Sequence, residues 1–235
     1  MKTIKRILVT GFPHTGTSIL KSKLGEAHNV YEQINEGIFP ENTEINNYLQ
    51  SDKEFFLWKD PVLRGNIVSG GFSQKHTTPY KDDVIVMILR NPYYVFTSQI
   101  KRGLNPFTSY EHTYKDYIRA AQIFLDAKQN NYANVYCIKY EDLFQNDFFQ
   151  IKSIMNKIGL VYDDDVFIKK TKVYTMSKTA KLLDEQPPHG TAEYRIWQMN
   201  KSFENFNSNS KIEIPSELQN ILKNSDEITK LGYND

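Results

Sequence analysis

Residues 5–24, KRILVTGFPHTGTSILKSKL, decide how this chain is to be read. Ile7, Leu8 and Val9 form a short apolar, partly β-branched run, with basic residues before it and Gly11 after it. Such a run reads as a strand buried inside a parallel sheet. Gly11, Pro13 and Gly16 then break the pattern. From Thr17 onward, Ile19, Leu20 and Leu24 return at helical spacing. Strand, glycine-bearing loop and helix make an anion cradle. Successive backbone N–H groups point into the loop, and the helix N-terminus adds partial positive charge. Gly11, Gly16 and Ser18 match the P-loop of nucleotide triphosphatases, but Thr17 stands where that loop has its lysine. That lysine neutralises the β- and γ-phosphates during phosphoryl transfer. A cradle without it points to a phosphate ligand that is not a transferable triphosphate.

The rest of the chain supplies further strands and helices in alternation. Strands are expected over 29–34, 55–58 and 135–140, and the run VIVMIL at 84–89 is the most apolar and central. Helices are expected over 92–101 with Pro92 in the first turn, 114–128, 148–158 ended by Gly159, and from Pro215 to about Leu222. Residues 177–209 show no clear periodicity. This order predicts an α/β fold of three layers, α/β/α, with a central mostly parallel sheet like that of P-loop nucleotide triphosphatases. A length of 235 residues fits one domain spanning 1–235.

Composition narrows the function classes. The 29 Lys and Arg against 28 Asp and Glu give a net charge of +1, so no global charge favours nucleic acid or a membrane surface. No apolar run approaches the roughly 20 residues of a membrane span. The apolar run after the basic start ends at Gly11, so no signal peptide is expected. Cys137 is the single cysteine, which excludes an intrachain disulfide and a cysteine zinc cluster. A reducing, cytoplasmic setting fits this usage.

A second constellation lies after the central strand. Arg90 stands at its C-terminal end, where a guanidinium can pair two ways with a phosphate. Ser98 follows about two helical turns later.

Four motifs in order now resemble the sulfotransferases that use 3′-phosphoadenosine-5′-phosphosulfate (PAPS). That family has a first loop of proline, a basic residue, Ser or Thr, glycine, threonine, then Ser or Thr; here it is Pro13-His14-Thr15-Gly16-Thr17-Ser18. It has arginine, Asp or Asn, and proline, with a serine eight residues after the arginine; here these are Arg90-Asn91-Pro92 and Ser98. Tyr140-Glu141-Asp142-Leu143 matches its Y-E-D-L, and Leu231-Gly232-Tyr233 matches its closing L-G-Y. The resemblance implies that the first loop holds the 5′-phosphate of PAPS. It implies that Arg90 and Ser98 hold the 3′-phosphate, as a second anion site remote from the first. It implies sulfuryl transfer to a small-molecule or carbohydrate acceptor without a metal.

Lys59, in Trp58-Lys59-Asp60-Pro61, is the expected cation near the leaving phosphate. His14 stands where the family has Lys or Arg, and a histidinium there would be pH-dependent. Lys21, about a turn further along the helix, is expected to point elsewhere. Glu32 is the favoured base, with Glu36 and His112 as alternatives. Cys137 reads as a packed thiol rather than a nucleophile. Residues 187–197, with His189-Gly190 and Arg195, stand where the family carries a basic loop over the nucleotide. Two other functions stay open: a P-loop small-molecule kinase, opposed by Thr17, and a non-catalytic nucleotide-binding relative, favoured by His14.

Overall fold

The computed structural model describes residues 3–33, 42–60, 65–68, 71–74, 83–107, 114–168, 197, 200, 203–205, 207 and 212–233. Its elements run β1 (Lys5–Gly11), α1 (Thr17–Leu24), β2 (Val30–Glu32), α2 (Asn42–Gln50), β3 (Phe55–Asp60), β4 (Gly65–Val68), β5 (Gly71–Gln74) and β6 (Val84–Leu89). They continue as α3 (Pro92–Ile100), α4 (Tyr114–Asn130), β7 (Val135–Lys139), α5 (Phe149–Ile158), α6 (Ser216–Lys223) and α7 (Asp226–Leu231). Five strands form one sheet in the order β2-β3-β1-β6-β7, and every pairing in it is parallel.

Both faces of this sheet are covered, which is why its strands are apolar nearly throughout. Alternate residues of a strand project to opposite faces. Ile7, Val9, Leu57, Val86 and Ile88 pack with Leu20 and Leu24 of α1 and with Ile151 and Met155 of α5. Ile85, Met87 and Leu89 face the other way, onto α3, α4, α6 and α7 through residues such as Phe96, Tyr117, Leu222 and Leu231. Tyr48 of α2 closes the same face over Leu8, Phe56 and Trp58. Each such Leu or Ile, fully buried, contributes about 1.5–3 kcal/mol. The expected three-layer α/β/α arrangement is therefore present, with a central sheet that is wholly rather than mostly parallel.

The register sets the site. Val9 pairs with Lys59 and Thr10 with Asp60, while Gly11 pairs with Ile88. The C-terminal ends of β1, β3 and β6 thus arrive together at one edge, where open α/β sheets bind ligands.

Boundaries differ from the sequence expectation where neighbours decide them. β3 runs two residues past Trp58 because β1 is long enough to pair with Lys59 and Asp60. β2 is three residues, since only Val30 to Glu32 find partners on β3. α2 was not expected: its stretch NTEINNYLQ is mostly polar and buries only Tyr48. The antiparallel ribbon of β4 and β5 was also missed, because its strands are four residues each and begin at glycines. Among the described residues no helix is long and apolar enough to cross a membrane.

Candidate functional site

The loop between β1 and α1 is tied down from within. Thr15 donates its backbone N–H to the Phe12 carbonyl at 3.1 Å. Its hydroxyl also bonds that carbonyl at 2.6 Å, and the Ile88 carbonyl at 3.1 Å. Thr15, expected to bind the cofactor, is thus buried and fastens the loop to β6. Pro13 is half-buried on the loop, and Thr17 is buried at the start of α1.

Two residues of the loop have left-handed backbones, His14 at φ 70° and Gly16 at φ 98°. Gly16 is required twice over, because a Cβ there would also stand 2.5 Å from the Tyr140 ring. At His14 the same backbone region costs an L-residue about 1–2 kcal/mol, strain of the kind stored at functional sites. Gly16 is the N-cap of α1, and no side chain caps that terminus. The first-turn amides therefore offer donors and a positive dipole end to an anion.

Lys59 brings a cation to this terminus. It shares the sheet face of Val9, on the side of α1, and is 3% exposed. Its Nζ donates to Ser18 Oγ at 2.6 Å.

Arg90 enters from the end of β6. Its Nε donates to Asn207 Oδ1 at 2.6 Å and its Nη1 to the His14 carbonyl at 3.4 Å. The guanidinium carbon lies 4.6 Å from the centre of the Tyr140 ring. Burial lowers the Arg90 pKa from its usual value, while Tyr140 and Glu141 oppose the shift; an arginine stays protonated regardless. Ser98, two turns along α3, places its Oγ 3.1 Å from His14 Nδ1. The two stretches that the resemblance assigns to separate phosphates meet at His14. The reversed backbone of His14 carries its carbonyl to Arg90 and its ring to Ser98, so the two halves are contiguous.

Glu32 was expected to face an acceptor and instead lies under α1. It shares the face of Val30, its side chain is fully buried, and Oε1 is 3.4 Å from Lys21 Nζ. The fit is close: a Cβ on Gly25 would stand 2.3 Å from Glu32 Oε2. Lys21 does point away from the loop, to the end of β2, where its Nζ bonds the Gln33 carbonyl. Glu36, His112, His189, Gly190 and Arg195 lie outside the described residues. Cys137 is half-buried beside the Phe124 carbonyl, and burial pushes its thiol up to about 12, which leaves it inert near neutral pH. Among the described residues no group of three His, Cys, Asp or Glu side chains gathers to hold a metal.

Two contributors to this geometry went unrecognised as such in the sequence, as did one buried amide nearby in the chain. Tyr140 packs on both Gly16 and Arg90, yet its motif says nothing of that. Asn207 sits in the aperiodic stretch and carries no signal at all. Gln99, next to Ser98, is fully buried with neither amide atom hydrogen-bonded. An unsatisfied buried amide costs about 1–3 kcal/mol. Gln99→Leu is accordingly expected to raise the thermal unfolding midpoint; a lower midpoint would mean that the amide has a partner, such as an ordered water.

No family model matches the chain, and no curated protein sequence does. Solved structures match its architecture. The sulfotransferase domain of the Synechococcus PCC 7002 olefin synthase is 13% identical over 99% of this chain and 96% of that one, with a TM-score of 0.57. A sulfotransferase from Alicyclobacillus acidocaldarius is 12% identical over 99% and 97%, with a TM-score of 0.52. The mouse sulfotransferase SULT7A1, complexed with PAP, is 15% identical with a TM-score of 0.44; it is matched over 70% of this chain, which spans only 62% of that neighbour's length. At the identities of the first two the likeness is one of architecture, and it says that this chain has the sulfotransferase fold.

Proposed function

We propose that the chain, as a single domain, transfers a sulfuryl group from PAPS to a hydroxyl or amine of a small-molecule or saccharide acceptor. The observation that carries this reading is the joined constellation at the sheet edge. An uncapped helix start, Lys59 on Ser18, and Arg90 with Ser98 gathered around His14 offer two adjoining places for phosphate. The likeness of the whole chain to solved sulfotransferase domains supports it.

Bound PAPS would supply an activated sulfur: its bond to the 5′-phosphate oxygen breaks as the acceptor oxygen or nitrogen bonds to sulfur, adenosine 3′,5′-bisphosphate leaves, and the acceptor's proton goes to a general base, for which the sequence offers Glu36 and His112 beside Glu32. The residues fit that ligand. The first-turn amides of α1 and Ser18 would hold the 5′-phosphate, and Arg90 and Ser98 the 3′-phosphate. Lys59 would neutralise the charge that grows on the leaving phosphate. His14, when protonated, would add a second positive charge and donate through Nδ1 to Ser98. Glu32, buried against Lys21, is better suited to holding the end of β2 than to taking the acceptor's proton. A screen of hydroxyl and amine acceptors with labelled PAPS, read by product mass, tests the proposal. Binding of adenosine 3′,5′-bisphosphate without turnover on any acceptor would favour the non-catalytic relative. A thermal shift with ATP but not with the bisphosphate would favour the kinase.

His14 gives the proposal a pH signature. An ordinary histidine titrates near ~6.5, and adjacent phosphates raise that value by favouring the charged form. The charge is present below the raised pKa and lost as pH rises through it. Activity should therefore fall on the alkaline side, and His14→Lys should carry that limb to higher pH. The check is the pH–rate profile of both proteins at saturating PAPS. Superimposed profiles would remove His14 from the charge-stabilising role.

A further inference from the structure

Behind Arg90 lies a hydrogen-bonded chain with a fixed direction. Glu141 Oε1 accepts from the Asn91 backbone N–H at 3.0 Å and from Asn207 Nδ2 at 2.8 Å. Glu141 Oε2 accepts from the Tyr233 hydroxyl at 2.8 Å. Asn207, 7% exposed, turns its other amide atom, Oδ1, to Arg90 Nε at 2.6 Å. An ionised carboxylate only accepts and a guanidinium only donates, so one orientation of the Asn207 amide satisfies both neighbours. One face of the guanidinium rests on the Tyr140 ring and one edge on Asn207, which leaves its roll no freedom. Its Nη end is then the part presented beside His14.

The Tyr233 hydroxyl reaches Glu141 through a helix ending. Gly232 has φ 74°, its N–H bonds the Thr229 carbonyl at 2.9 Å, and the Tyr233 N–H bonds the Ile228 carbonyl at 3.1 Å. This is a Schellman ending of α7, which a glycine at the left-handed position permits. Lys139 of β7 holds the same ending by donating to the Leu231 carbonyl at 2.7 Å. Burial, and secondarily the Glu141 carboxylate, raise the Tyr233 phenol well above its ordinary pKa, so it remains a donor.

We propose that Asn207, oriented by Glu141, is a positioning residue that fixes the roll of Arg90 toward a nucleotide 3′-phosphate, and that the ending of α7 is built into that site through Tyr233. The proposal rests on the reading of Arg90 as the 3′-phosphate ligand. A guanidinium free to roll would still attract an anion. It would lose the fixed geometry that makes a bidentate contact stronger than a point charge. Selectivity for the 3′-phosphate, rather than nucleotide binding as such, should depend on Asn207.

The experiment is calorimetry with adenosine 3′,5′-bisphosphate and adenosine 5′-monophosphate on the full chain. Asn207→Ala should weaken the bisphosphate about tenfold and the monophosphate less than about twofold, the loss expected for one charge-assisted contact. General damage to the fold would weaken both. Glu141→Ala removes the acceptor that orients the Asn207 amide and should lower the preference for the bisphosphate in the same direction. An unchanged ratio of the two ligands in Asn207→Ala would overturn the positioning role. If wild type prefers the bisphosphate and Arg90→Ala abolishes that preference, such a result leaves the reading of Arg90 standing. If wild type shows no preference, both fall.

Discussion

Lys59→Met is expected to lower single-turnover sulfuryl transfer by about a hundredfold to a thousandfold, the usual effect of removing one preorganised donor from a developing negative charge. Methionine keeps most of the apolar stem that Lys59 buries at 3% exposure, so the packing against α1 survives while the charge is removed. The Nζ sits on Ser18 Oγ at the uncapped start of α1, away from bulk water. Charge–charge interactions are strong there because the effective dielectric is low. Negative charge on the leaving phosphate is greater in the transition state than in the bound donor, so Lys59 acts mainly on rate. Affinity for adenosine 3′,5′-bisphosphate should change far less than turnover. Rapid-quench measurement at saturating PAPS, paired with calorimetry, makes the comparison. Equal losses in rate and affinity would make Lys59 a binding residue, and an unchanged rate would remove it from the site.

Arg90→Ala is expected to weaken adenosine 3′,5′-bisphosphate by about tenfold to a hundredfold, as for a charge-assisted contact worth roughly 1.5–3 kcal/mol. Adenosine 5′-monophosphate should scarcely respond, since the loop amides, Ser18 and Lys59 are intact. Arg90→Lys should recover little. An ammonium has no planar fork to occupy the slot between Tyr140 and Asn207. Titration of both ligands against both variants decides the matter. Equal weakening of the two ligands would detach Arg90 from the 3′-phosphate.

Much of the architecture was legible because short-range patterns carried it. The runs at Ile7–Val9 and VIVMIL could only be buried strands, and Gly159 and Pro92 marked helix ends by their backbone chemistry. The loop from Gly11 to Ser18 was marked as a strand-to-helix turn by its glycines, and Gly16 has the left-handed backbone such a turn needs. α2 and the β4–β5 ribbon were hidden because their residues are polar or glycine-flanked, and local periodicity there is weak.

In the site, residue types were readable but their use was not. Sequence placed Thr15 and Ser18 in one loop expected to hold phosphate; the fold commits Thr15 to the Phe12 and Ile88 carbonyls and places Ser18 on Lys59. Glu32 looked like an acceptor-facing base until strand alternation put it under α1 beside Lys21. Asn207 and Arg90 stand 117 positions apart, and Tyr233 and Glu141 stand 92 apart. What the sequence by itself determined is the strand–loop–helix cradle, the apolar strands and the places where helices stop, because each depends on neighbours a few residues away. What only the tertiary structure decided is which hydroxyls are occupied, which carboxylate is buried and which amide steadies Arg90. Those depend on sheet register and on the packing of the α7 ending, which bring together groups that no local pattern relates.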